Sequence, residues 1–170
     1  QPRRHLDEAE LATLTASIRE HGVLQPIVVT EALDGYELVA GCRREGIQVV
    51  PVPGPSAAIA ALAASGLPSD TFCFAGFLPS KGSLRKHRLQ ELASIPATLI
   101  LYEAPHRLLS SLQDMAAILG PRRATLAREL TKIHEELLHG TLPEILSRLQ
   151  ERDRIQGEIT LVIERGESAQ

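Results

Sequence analysis

A length of 170 residues holds one domain or two small ones, and 44% hydrophobic with 23% charged residues is ordinary for a globular chain. A net charge of −3 argues against a protein that simply coats nucleic acid. No apolar run approaches the roughly 20 residues of a membrane span and no secretory signal is visible, so a cytoplasmic protein without a membrane partner is expected. Three Phe, two Tyr and no Trp leave a core of Leu, Ile, Val and Ala. Cys42 and Cys73 are unclustered, the pattern of buried thiols in a reducing compartment. Gln1 in place of an initiating Met is expected of a recombinant form, a fragment or a processed product.

In chain order, Asp7 caps a first helix and Glu10 completes a capping box. Leu6 and Leu11 fit a hydrophobic staple; Leu11, Leu14 and Ile18 repeat at helical spacing, and Gly22 stops the helix. Residues 26–30 form a short strand. Residues 31–46 read two ways: Asp34-Gly35 signals a hairpin, while Leu38, Val39 and Cys42 share one face of a crossover helix. Residues 47–52 are a strand. Pro53-Gly54-Pro55-Ser56 is a breaker cluster and an internal boundary. Ala57 to Ser65 is helical, apolar on all sides and therefore expected to be buried. A strand at 71–76, a helix at 82–94 with a basic N-terminal half and a strand at 98–102 follow. Pro105 opens a helix whose core stripe is Leu108, Leu109, Leu112, Met115 and Leu119, ended by Gly120-Pro121. Residues 124–127 are a strand. Thr141 and Glu144 make a second capping box for a helix to about Arg152, and residues 157–163 close with a strand. Strands alternating with helices of roughly 10–15 residues point to a layered α/β fold.

Several chemical signals fail. His134 and His139 invite a zinc-protease reading, but they stand five apart, about 140° round a helix, and no third ligand is evident, so no metal is expected. Gly54-Pro55-Ser56-Ala57 is not a nucleophile elbow. Twelve glycines are present, yet no Gly-x-Gly occurs, so a loop that cradles phosphates is missing.

Two stretches carry ordered motifs. Val49 to Ala57, Ala64 to Asp70, Gly76 to Pro79, Tyr102 to Arg107, Ala127 to Lys132 and Gly157-Glu158 together resemble the C-terminal domain of the RsmI family. These are ribosomal RNA 2′-O-methyltransferases of the tetrapyrrole-methylase superfamily, and the resemblance runs from about Gly46 to Glu164. Gln1-Pro2-Arg3, Leu11 to Ile18, Gly22 to Val29 and Gly35 to Gly41 instead resemble the N-terminal domain of the ParB chromosome-partition family, over residues 1 to about 44. That family continues with Gly-Glu-Arg-Arg where this chain has Gly41-Cys42-Arg43-Arg44. Cys42 removes the acidic residue that the resemblance associates with nucleotide turnover. The switch falls inside a segment both families claim, which implies a recombinant crossed over between Gly35 and Gly46.

The fold implied is a layered mixed sheet with flanking helices, like a tetrapyrrole-methylase C-terminal domain, preceded by a small ParB-like βα segment. The expected division is 1–46 and 47–170. The resemblance implies one wall of an S-adenosylmethionine site, from Pro53, Gly54, Pro55, Ser56 and Ala57 with Tyr102, Glu103, Leu130 and Thr131, and Glu129 and Lys132 are the catalytic candidates. Each has a plain alternative: Pro53 to Ser56 an interdomain turn and helix cap, Tyr102 to Arg107 a strand-to-helix corner with a satisfied Glu-Arg pair, and Glu129, Thr131 and Lys132 a solvated loop. Lys81, Arg85, Lys86 and Arg88 either grip RNA phosphates or form a solvated helix face. Arg43 and Arg44 are a triphosphate remnant or a solvated helix end. Ribosomal RNA is a partner by resemblance alone, and apolar surface left by a lost domain would favour self-association. One wall buries too little of a ligand. The expectation is therefore a chimera without a complete active site and without a cofactor in this form. The alternatives are an RNA ribose methyltransferase restored by dimer formation, and a ParB-like nucleotide- or DNA-binding module.

Overall fold

In the computed structural model the chain divides into two units, Gln1–Pro55 and Ser56–Gln170. The structure describes residue 48 and residues 53–166. The expected helix over 7–22, the strands at 26–30 and 47–52, the helix-or-hairpin choice at 31–46, and Arg43 and Arg44 lie outside the described residues.

The second unit begins with α1 (Ala57–Ser65), followed by β1 (Phe72–Phe77), α2 (Gly82–Ala93) and β2 (Thr98–Glu103). A 3-10 turn (Pro105–Arg107) leads into α3 (Leu108–Leu119). Then come β3 (Arg123–Arg128), β4 (Glu136–Thr141), α4 (Leu142–Gln150) and β5 (Ile159–Ile163). The sheet order is β1-β2-β5-β3-β4. β1 and β2 run parallel across the α2 crossover, and every other pair is antiparallel. This is the mixed sheet with flanking helices that the sequence implies.

Strand alternation assigns each side chain to a layer. Leu99, Leu101, Leu126, Leu161 and Ile163 pack with Leu89 and Leu92 of α2, Leu108, Leu112 and Met115 of α3, and Ile145 and Leu149 of α4. The opposite face presents Ile100, Ala127 and Val162 to Ala58, Ala61 and Leu62 of α1. β5 is buried along its whole length because both its faces are covered and both its edges are paired. That explains its nearly continuous apolar run in place of alternation.

Local signals set several boundaries. Thr141 accepts a bond from the Glu144 N–H while the Glu144 carboxylate accepts the Thr141 N–H, the reciprocal capping box expected at α4. Gly120 closes α3 at φ 74°, a conformation that side-chain-bearing residues rarely adopt.

Three expectations need correction. α1 is not buried all round: it buries Ala58, Ala61, Leu62 and Ser65, while Ile59 remains half exposed, because only one sheet face lies beneath it. In α3 the buried set includes Ser111, which bonds a buried carboxylate, and Leu109 is only partly covered. α4 ends at Gln150, short of Arg152. Residues 136–141, to which the sequence reading assigns no element, form a strand. β4 supplies the partner that the free edge of β3 needs.

Truncating a fully buried α3 side chain should leave a cavity. Leu112→Ala is expected to cost about 2–5 kcal/mol in urea unfolding. Thr141→Ala, which removes one bond of the α4 cap, should cost about 1 kcal/mol.

Candidate functional site

β1, β2 and β3 end, and β5 and β4 begin, along one edge of the sheet, where Phe77 pairs Tyr102, and Glu103 and Arg128 both pair Ile159. A cavity of about 420 Å³ opens at this edge. Ala57 of α1, Phe77 of β1, the Tyr102-to-Pro105 corner and the Gly157-to-Thr160 approach to β5 line it. Phe77 lies 5.6 Å from the Tyr102 ring at 57°, and Phe74 lies 4.9 Å from it at 69°, tilted arrangements that aromatic pairs favour. The Arg107 guanidinium sits 6.0 Å from the Phe77 ring centre. The lining is thus mainly apolar and aromatic.

Its carboxylates are already occupied. Glu103 is buried; one oxygen accepts from the Ala104 N–H at 2.7 Å and Arg107 Nε at 2.6 Å, and the other accepts from Ser111 Oγ at 2.6 Å. A buried carboxylate requires such pairing, and this one ties the end of β2 to α3. Glu103 therefore lines the cavity through a side chain committed to the fold.

Glu129 stands just beyond β3 with φ 51°, and Thr131 has φ 64°, so two side-chain-bearing residues of this turn occupy the left-handed region. The Glu129 carboxylate accepts the Glu158 N–H at 2.8 Å and Lys132 Nζ at 3.0 Å, and Lys132 also reaches Glu158 at 3.2 Å. The Glu158 N–H, and after it Lys132, hold the Glu129 carboxyl below its ordinary range. Bonds to Glu129 and Glu158 raise the Lys132 ammonium above its own. A carboxylate held ionised by two donors is a weak base, and an ammonium made harder to deprotonate accepts no proton. Both side chains of the expected catalytic pair thus bond within this turn and to Glu158.

The remaining candidates separate. Pro53 to Ser56 are exposed and without regular structure. Ser56 stands at the N-cap of α1 and makes no side-chain cap bond, and only Ala57 of that group reaches the cavity. Leu130 packs with the α1 layer, while Thr131 is exposed and its N–H donates to Glu135 at 2.6 Å. Arg85 is buried and donates through Nε to Asp114 at 2.7 Å, which corrects its expected place on a phosphate-binding face. Lys86 shares Asp114 at 3.5 Å, and Arg88 pairs with Glu91 at 2.7 Å. Of that basic set, only the exposed Lys81 is in no ion pair among the described residues. His134 and His139 are exposed, and His139 Nδ1 lies 2.9 Å from Thr125 Oγ1. Among the described residues no cluster of His, Cys, Asp or Glu could hold a metal ion. No described helix is long and apolar enough to cross a membrane.

Sequence reasoning missed Phe77, Ala104, Pro105 and the 157–160 segment as lining. Their motifs were visible, but only the sheet register brings them to one edge.

A bound adenosylmethionine would need an apolar slot for its adenine and charged partners for its amino-acid end. The cavity fits the first. For the second, the described lining offers two carboxylates: Glu103, buried and fully paired, and the exposed Glu158, bridged to Lys132 at 3.2 Å. The one buried side-chain polar atom without a partner among the described residues is Arg122 Nη1, before the opposite end of β3. The described residues of this cavity fit the apolar part of the group.

Comparison with known proteins agrees with this architecture. The tetrapyrrole (corrin/porphyrin) methylase family matches residues 34–146, and the ParB N-terminal domain family matches residues 1–48, so the two overlap over 34–48. Ribosomal RNA small subunit methyltransferase I of Vibrio cholerae serotype O1 is 51% identical over 131 residues, covering 76% of this chain and 46% of that protein. The same-named protein of Escherichia coli O157:H7 is 51% identical over 138 residues, covering 80% and 48%. The chain thus spans less than half the length of these curated relatives. A uroporphyrin-III C-methyltransferase from Thermus thermophilus superposes with a TM-score of 0.54 at 21% identity, over 95% of this chain and 69% of that one. A diphthine synthase gives 0.57 at 14% identity, over 94% and 68%. These two likenesses speak for the fold.

Beside the Glu129 turn, Arg152 holds Glu136 at 2.9 and 2.5 Å and Arg128 holds it at 2.8 Å, which lowers its carboxyl from 4.5 to about 2. A depressed folded-state pKa stabilises fully above the unfolded value near 4.5 and is lost as pH falls through about 2. The urea midpoint should therefore drop on acidification from about pH 5 to about pH 2. Glu136→Gln should lower the neutral-pH midpoint and flatten that drop; an unchanged slope would contradict the assignment.

Proposed function

We propose, on the premise that this chain belongs to the tetrapyrrole (corrin/porphyrin) methylases, that it is a recombined α/β protein without turnover of its own. It is built on the C-terminal half of an S-adenosylmethionine-dependent ribosomal RNA 2′-O-methyltransferase. In this reading residues 1–46 are the ParB-like piece and residues 47–170 the methylase piece. The overlap of the two family matches at residues 34–48 supports a junction inside a segment that suits both.

One observation carries the reading: a mainly apolar cavity at the strand-end edge in which Glu103 is consumed by internal bonds, beside a Glu129–Lys132 pair that is equally engaged. Adenosylmethionine, when bound in such an enzyme, supplies an electrophilic methyl group. Transfer to a ribose hydroxyl requires the methyl carbon and oxygen in line, and a group to receive the hydroxyl proton. Ala57, Phe77, Tyr102 and Pro105 can bind and orient one apolar face and keep water from it. Glu129 accepts from the Glu158 N–H and from Lys132, so in this reading the pair is engaged in holding the turn rather than in receiving the proton. The absence of any Gly-x-Gly in the chain leaves the opposite face without the close-approaching loop that a nucleotide-like ligand needs.

Two measurements test the reading. Calorimetry with S-adenosylmethionine and S-adenosylhomocysteine should show no saturable heat at sub-millimolar concentration. Tritiated methyl transfer to small-subunit ribosomal RNA should stay at the level of a protein-free control. Incorporation above that control would replace this reading with an active ribose methyltransferase.

A further inference from the structure

We infer that Glu129 is a positioning residue, a two-handed grip on the backbone of Glu158 that sets one wall of the strand-end cavity, and that position 157 is glycine to make room for it. The Glu129 N–H donates to the Glu158 carbonyl at 2.9 Å, and the Glu129 carboxylate accepts the Glu158 N–H at 2.8 Å. One residue thus binds both polar groups of a single peptide position just before β5. Gly157 and Glu158 line the cavity and Glu129 does not, so the carboxylate acts through its neighbour and touches no ligand space.

The glycine completes the argument. A Cβ at position 157 would stand 2.5 Å from Glu129 Cγ and 2.7 Å from both its Cδ and Oε1, far inside van der Waals contact. Gly157 also has φ 96°, which disfavours any side chain there. Glu129 has a left-handed φ of 51°, a strain that the bonds of its side chain to Glu158 and Lys132 offset. Lys132 bridges Glu129 and Glu158 and fixes the carboxylate's rotamer.

The inference deepens the proposed reading, since it takes the cavity to be half of a methyl-donor site. Its test uses no ligand, so weak or absent donor binding bears only on that reading. The readout is residue-resolved amide hydrogen exchange on the whole chain, with Leu161 to Ile163 as internal reference for global stability. Glu129→Ala should speed exchange of the Glu158 amide about tenfold, the loss of one charge-assisted bond, while the β5 reference amides keep their native rates. Glu129→Gln, whose amide oxygen still accepts, should restore Glu158 to within about threefold of the parent. Gly157→Ala should expel the carboxylate and reproduce the Glu129→Ala exchange at Glu158. An unchanged Glu158 rate in Glu129→Ala or Gly157→Ala overturns the inference, as does a Gln variant as fast as the Ala variant. Should the Ala variants not fold, the near-isosteric Gln variant decides alone: protection retained supports the grip and protection lost refutes it.

Discussion

The second unit depends on one insertion. β5, the last strand among the described residues, lies between β2 and β3 rather than at an edge. Its five residues are buried, with Leu161 and Ile163 supplying the three-helix layer and Val162 the α1 layer. Without it β2 and β3 lack their shared partner, and both cores lose their middle. Because β2 is met by β5 only after α3, β3, β4 and α4 have intervened, the central contacts close long loops. That costs chain entropy before apolar burial offsets it.

The same register creates the cavity. Ile159 faces Glu103 on one side and Arg128 on the other, so the segment before it, Gly157-Glu158, must pass between the ends of β2 and β3. Aromatic residues from β1 and β2 stand on one flank, and the Glu129 turn stands on the other. Each nearby carboxylate then finds donors inside the fold: Glu103 the α3 entrance, Glu129 the β5 entrance, and Glu136 two guanidiniums. Charges that look like chemistry in a string of letters serve as fasteners in three dimensions, because a carboxylate removed from water must be paired near at hand. The surface basic helix obeys the same rule, since Asp114 and Glu91 take up Arg85, Lys86 and Arg88.

A family match over residues 34–146 beside a different match over residues 1–48 places two evolutionary signals on one polypeptide. The methylase-like unit keeps a continuous sheet and two packed layers within residues 56–166. That unit has its own core because packed layers, not active sites, set stability.

The letters alone determined what is local. Apolar periodicity, the Thr141–Glu144 box, Gly120 and the strand-like runs marked α1, β1, α2, β2, α3, β3, α4 and β5 to within a few residues, because propensity, capping and turn chemistry act within about one helical turn. Motifs likewise pointed to the Tyr102–Glu103 corner, the Glu129 turn and Gly157-Glu158. Tertiary structure alone decided the central place of β5, the strand identity of 136–141, and the partner of each charge. Arg85 meets Asp114, and Glu129 meets Glu158, across 29 residues in each case. No local pattern encodes such a meeting. Whether a carboxylate is a free base or a buried fastener is settled only when the chain closes on itself and water leaves.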